Sequence, residues 1–141
     1  MKEDENLNRL YQIITSVNGI GFVTAAYILV TTNEFVSINN PKKYACYSGV
    51  VPFEHSSGSS VRGRDRVSQM ANKNMKMLLH MAALSSIRIQ GDLKDYYTRK
   101  VAEGKNKMSV INAIRNKLIL RIFACVKENR EYEKIYDYKF V

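Results

Sequence analysis

The sequence contains no tryptophan, and only two prolines and seven glycines among 141 residues. A chain this poor in breakers has little material for the many tight turns of a β-sandwich or barrel, and favours helices with few interruptions. Histidine and cysteine are equally scarce, with two of each. Cys46 and Cys125 stand alone in the apolar settings "KYACYSG" and "RIFACVK", a pattern of buried free thiols rather than of zinc ligands. No D-x-D or H-x-x-x-H spacing supplies a self-contained metal site. The chain opens "MKEDENLNRL" without a hydrophobic leader, and the apolar run "AAYILV" is far too short to span a bilayer. A cytosolic protein with no membrane partner is the expectation.

Negative charge is also lacking. Thirteen acidic residues face 22 basic ones, for a net charge of +9. Nucleic acid is the commonest partner of such an excess, through phosphate neutralisation and counterion release. An anionic membrane surface and simple solubility are the competing readings. The charge is unevenly placed. Between 61 and 80 stand Arg62, Arg64, Arg66, Lys73 and Lys76 against Asp65 alone, and eight basic residues between 94 and 121 face only Asp95 and Glu103. The ends of the chain are nearly balanced.

What is abundant is apolar, at 45% of residues, enough for one domain with a real core that hides roughly two-thirds of its unfolded surface. The spacing of Leu7, Leu10, Tyr11 and Ile14 predicts an amphipathic helix over 5–16. "VNGIG" breaks it and "FVTAAYILVTT" resumes as an apolar helix. "INNPKKYACYSG" predicts a short third helix, capped by Asn40, with Pro41 in its first turn and Gly49 ending it. Helical periodicity is absent from 50 to 67 and returns after Ser68 or Asn72 as a cap, with Met75, Leu78, Leu79 and Ala82 in one stripe. The three methionines of this helix read as core filling rather than a soft groove. A short helix ending at Gly104 precedes a long one over about 107–128, whose buried face is Ile111, Ile114, Leu118, Ile122 and Cys125, with Arg115, Lys117 and Arg121 off that face. The fold class is therefore all-α, a single compact helical domain over 1–141, with a hairpin-like start at about 7–31, a loop at about 52–67, a helical remainder at about 68–128 and a tail at 129–141. That tail reads either as an ordered packed arm or as an assembly element.

Two stretches carry possible chemistry. In "VNGIGFVTAAYIL", Gly19 and Gly21 flank an isoleucine between helices. The pattern resembles a helix-hairpin-helix turn, whose second helix can offer free backbone N–H groups to a phosphate without reading sequence. An ordinary glycine turn between packed helices reads equally well. In "HSSGSSVRGRDR", residues 55–66, four serines and two glycines precede and interleave with Arg62, Arg64 and Arg66. Arginine forks bind phosphate oxygens bidentately, and a serine among them can attack a phosphodiester. Composition alone favours a slack linker with a solvated basic end. His55 is a possible base there, and Glu54 and Asp65 flank the loop; His80 lies in a mostly apolar helix, where a surface or satisfied-core role is expected.

Taken in order, "SVNGIGFVTAAYILVTTNEF", "PKKYACYSGVVPFEHSSGSSVRGRDRVS", "KNMKMLLHMAALSS" and "GKNKMSVINAIRNKLILRIFACVKENREYE" resemble the C-terminal domain of the insertion-sequence-110 and Piv-type transposases over about residues 8–133. These are DNA recombinases of bacterial mobile elements. The resemblance implies DNA as partner, an oligomeric full-length enzyme, and a structured guide RNA as in characterised members of the family. It implies Mg²⁺ held by the acidic cluster of a separate N-terminal RuvC-like domain, and no cofactor in the present domain. Matching "S-G-S-S-x-R-G" puts the nucleophile at Ser57, directly before Gly58, with Ser56 as the alternative, and gives Arg62 the family's basic loop position. Arg64, Arg66, Lys73 and Lys76 extend the expected phosphate contacts. The sequence departs from the family's usual proline at Asn18, basic residue at Gln69 and glycine at Ala71. With no RuvC-like segment before residue 1, the chain is expected to be an excised portion of a longer enzyme, with a truncated gene as the alternative, and to be inactive in isolation. A non-catalytic nucleic-acid-binding or assembly module is the alternative function.

Overall fold

A computed structural model describes residues 2–50 and 72–133 of the chain, with side chains from Asp4 onward. Among these residues every regular element is a helix: α1 (Lys2–Ser16), α2 (Phe22–Thr32), α3 (Pro41–Tyr47), α4 (Lys73–Ser86), α5 (Asp92–Ala102) and α6 (Lys107–Glu128). The loop at about 52–67 and the tail beyond 133 lie outside the described residues, as does Ser68.

α6 is the axis of the fold. It packs against α1, α3, α4 and α5, while α2 closes the far side on α1 and α4. Its predicted face, Ile111 through Cys125, is buried as expected, and Val110, Ile119 and Phe123 widen it. A helix touched from several sides needs more than one apolar stripe. Ile114, Leu118, Ile119 and Ile122 then form one core with Ile14, Ile28, Tyr44, Met75 and Leu79.

Local signals set the helix limits. Asn40 caps α3 by accepting from the Lys42 and Lys43 backbone N–H groups at 2.8 and 3.3 Å, with Pro41 opening the helix. Asn106 and Asn72 do the same for α6 and α4. Past α2 the chain turns left-handed at three successive residues, Asn33, Glu34 and Phe35. Each such residue costs roughly 1–2 kcal/mol. The turn is held by Phe35, whose ring sits edge-on to Phe123 at 5.0 Å and whose N–H donates to buried Thr32 Oγ1 at 3.0 Å. After α6, the start of the tail folds back: Tyr132 N–H donates to Ser16 Oγ at 2.8 Å, and Arg9 Nη2 donates to the Asn129 carbonyl at 3.1 Å.

Four expectations are corrected by the packing. Leu7 is exposed, because α1 is uncovered over residues 4–8, and its buried face is Leu10, Ile13 and Ile14, continued by Val17 just past its end. Met75 is core, but Met77 and Met81 are exposed, each about 200° around the helix from a buried partner, Met75 or Leu79. Arg115 is buried with the face it was placed off. Cys46 is exposed, one step round α3 from buried Tyr44 and Ala45, whereas Cys125 is buried. Burial, followed by Glu128, pushes the Cys125 thiol up to about 11. A thiol-reactive chromogenic disulfide is therefore expected to label one cysteine per native chain, Cys46, and the second only after guanidinium unfolding. Rapid labelling of both in the native protein would contradict this burial.

Candidate nucleic-acid interface

The α1–α2 turn separates the two glycines by role. Gly19 has φ +96°, and a Cβ there would stand 2.7 Å from the Ala82 carbonyl oxygen and 3.1 Å from Ser86 Cβ, both in α4. Its hydrogen side is the contact that lets the turn lie on α4. Gly21 is the N-cap of α2, extended and exposed, with no side-chain cap and nothing within 4 Å of where a Cβ would stand. At the start of α2, Phe22 and Val23 are exposed, while Thr24 and Ala25 of the same turn are buried.

The catalytic residues expected from sequence, Ser57 and Ser56, lie outside the described residues, as do His55, Arg62, Arg64 and Arg66. The residues that frame that segment are described. Asn72 makes four bonds: its N–H donates to the Tyr47 carbonyl at 2.9 Å, its Nδ2 donates to Tyr47 Oη at 3.0 Å, its Oδ1 accepts from Met75 N–H at 2.8 Å, and its carbonyl accepts from Lys76 N–H at 3.0 Å. These bonds tie the end of α3 to the start of α4.

Next to that tie, Lys73 and Lys76 line a cleft of about 330 Å³ together with Met77, His80 and Arg115. The spacing 73, 76, 77, 80 is one face of α4, and Arg115 comes from α6. Both lysines are exposed; Arg115 is 7% exposed. An Arg115 Nη2 N–H donates to His80 Nδ1. Guanidinium can only donate, so His80 is neutral with its proton on Nε2. Burial and then the Arg115 charge hold its pKa below the ordinary histidine value, and burial lowers that of Arg115. A folded-state pKa below the unfolded one means that neutral His80 stabilises the fold. That contribution is complete above about pH 6.5 and is lost as pH falls through the folded value. Urea unfolding at pH 7.5 and 5 is expected to show a larger acid-side loss of stability in the wild type than in His80→Gln. Identical losses would mean that His80 is not held neutral.

Sequence reasoning took Lys73 and Lys76 but missed His80 and Arg115. The signal was present for Arg115, which stands four residues after Ile111 and three before Leu118, on their face. A second basic surface lies on α5 and α6. There the Tyr96 ring has Lys117 Nζ at 4.7 Å, and the Arg99 and Lys100 head groups at 5.8 and 5.9 Å. Burial first, then Arg121, lowers the Lys117 pKa. Arg121 grips Asp92 with both Nη atoms and lies 5.3 Å from the Tyr132 ring. Among the described residues no three His, Cys, Asp or Glu side chains gather to hold a metal, and no helix is long and apolar enough to cross a membrane.

The chain belongs to the Transposase IS116/IS110/IS902 family, whose model matches residues 11–98. It is 28% identical over 129 residues to the pilin gene-inverting protein of Moraxella bovis, covering 91% of this chain and 40% of that one. It is also 28% identical over 124 residues to the insertion element IS110 uncharacterized 43.6 kDa protein of Streptomyces coelicolor, covering 88% of this chain and 30% of the other. A more distant relative is the insertion element IS116 uncharacterized 44.8 kDa protein of Streptomyces clavuligerus, 23% identical over 84% of this chain and 30% of its own length. The chain thus spans less than half the length of these relatives. No solved structure matches it.

Proposed function

We propose that the chain is the serine-bearing domain of a DNA recombinase, with Ser57 as nucleophile and Ser56 as the alternative. Ser57 Oγ attacks the phosphorus of a DNA phosphodiester. An Oγ–P bond forms, the bond from phosphorus to one sugar oxygen breaks, and that oxygen leaves as a hydroxyl carrying the proton lost by the serine. One ester replaces another, so the step conserves bond energy and reverses on rejoining. Arg62, Arg64 and Arg66 neutralise charge at the phosphorus. Gly21 at the start of α2, together with Gly19 and the turn it builds, and Lys73 and Lys76 hold neighbouring phosphates. The described residues gather no metal ligands, and we assign Mg²⁺ to an acidic, RuvC-like domain of the full-length protein. DNA, a guide RNA and further copies of the full-length chain are its partners, and the bacterial cytoplasm is its compartment.

The observation that supports this reading is the tie between Tyr47 and Asn72, the described residues on either side of "HSSGSSVRGRDR" in the sequence, beside the cleft lined by Lys73 and Lys76. The test is reconstitution with the RuvC-like domain, guide RNA and DNA ends, followed by denaturing capture of covalent protein–DNA adduct. An adduct that survives Ser57→Ala sinks the assignment. A second reading, a non-catalytic nucleic-acid-binding or assembly module, draws on the exposed apolar side chains Phe22, Val23 and Val30 of α2. It predicts salt-sensitive DNA affinity and no adduct under any of these conditions.

A further inference from the structure

We infer that the α4–α6 cleft is a phosphodiester-binding site in its own right, in which Arg115 and His80 form the buried floor and Lys73 and Lys76 the outer rim. It deepens the recombinase reading by giving that domain a defined strand-holding site, but it needs neither the serine nor a metal.

Arg115 lines the cleft from α6. Its side chain is almost wholly enclosed, and its Nε is buried without a hydrogen-bond partner among the described residues. Taking a guanidinium out of water is unfavourable unless an anion meets it, and buried arginines accordingly sit against carboxylates. Here the partner observed is a neutral imidazole, and no Asp or Glu is among the described residues lining the cleft. That lining is three cations, one imidazole and a methionine. Its polar side chains all offer donors, and no carboxylate among them competes for those donors.

The imidazole has a definite part. By accepting from Arg115 at Nδ1, His80 carries its proton on Nε2, so it remains a donor without adding a fourth positive charge to the cleft. Lys73 and Lys76 occupy the first turn of α4, where the helix dipole adds to their field. Exposed ammonium groups at a rim and an enclosed fork below suit an anion that arrives from solvent and is gripped in a fixed orientation. Met77, 58% exposed, gives one wall an apolar surface. A bare phosphate has nothing to place against it, whereas a sugar or base edge does. That wall and the +9 charge of the chain select a nucleic-acid strand over a free anion.

The test uses the chain as it stands, with fluorescence anisotropy of a labelled 20-nucleotide single-stranded DNA, its duplex and the matching RNA, and with inorganic phosphate as competitor. Arg115→Met is expected to weaken binding at least tenfold for every sequence tried. Lys73→Gln/Lys76→Gln is expected to lower the slope of log K against log salt by roughly 1.4 for single strands and 1.8 for duplex. Lys105→Gln/Lys127→Gln removes the same charge in the turn before α6 and in its last turn and is expected to change affinity less than threefold. Because methionine fills the space of a buried charge at no desolvation cost, the thermal midpoint of Arg115→Met is expected to equal or exceed that of the wild type. The second readout is proton NMR. The chain has two histidines, so His80→Gln assigns the signal, which is expected to shift on adding the oligonucleotide. Wild-type affinity in Arg115→Met overturns the site, as does a loss matched by the Lys105/Lys127 pair. Competition and NMR shifts from inorganic phosphate alone, with none from any strand, overturn the nucleic-acid assignment. Failure of the serine test leaves these results standing, and failure here leaves the adduct result standing.

Discussion

Substitution of Ser57 by alanine is expected to abolish the covalent protein–DNA adduct of the reconstituted recombinase, while Ser56→Ala keeps it within a few-fold of wild type. The contrast follows from the proposed chemistry. Alanine deletes the atom that would become the ester oxygen, so no rearrangement of neighbours restores the link at that position. In a serine hydrolase, loss of the nucleophile alone costs about a million-fold in rate, far beyond the range of a gel-based adduct assay. Ser56 stands one residue earlier and lacks the position directly before Gly58 that the proposal gives to the nucleophile. The arginines are expected to behave otherwise. Arg62→Ala slows adduct formation and lets it accumulate late, because a lost charge raises the barrier without removing the bond-forming atom. Equal adduct from both serine variants, or adduct lost in Ser56→Ala and kept in Ser57→Ala, would reject Ser57.

The second large effect concerns stability. Gly19→Val is expected to destabilise the fold by about 2–5 kcal/mol, the sum of a left-handed φ that disfavours any Cβ and the repacking it forces. The atom it meets is the Ala82 carbonyl oxygen at 2.7 Å, part of the α4 backbone and unable to swing aside. Against a usual total of 5–15 kcal/mol, that is a large share, with a fall in melting temperature of roughly 6–20 °C. Gly21→Ala supplies the control. Its φ is −98° and no atom lies within 4 Å of the new methyl, so a change within about 1 kcal/mol is expected. Equal melting shifts in the two variants would show that the turn does not rest on α4 as described.

Much of the scaffold was legible in the sequence because it is written locally. Asn40 and Pro41 fix the start of α3, Asn106 and Gly104 bracket the α5–α6 junction, and the stripe from Ile111 to Cys125 marks the face of the axial helix. These signals act over one turn and survive in the fold. The cleft was legible only at its rim. Lys73 and Lys76 announce themselves by charge, but His80 and Arg115 are 35 residues apart, and only the packing of α4 on α6 joins them. Arg115 also reads against its type, since a charged residue is ordinarily placed in solvent. Cys46 errs in the opposite direction: its apolar neighbours Tyr44 and Ala45 are buried, and it is carried out of the core by one step of helical rotation.

The tie between Tyr47 and Asn72 has a consequence for how such a domain can change. Asn72 both caps α4 and holds Tyr47 at the end of α3, so one side chain joins the two helices across the sequence gap between them. Doubling the length of a connection adds only about 0.6 kcal/mol of closure entropy. A chain with this tie therefore tolerates insertions between Tyr47 and Asn72 at little cost to the packing of α3 and α4.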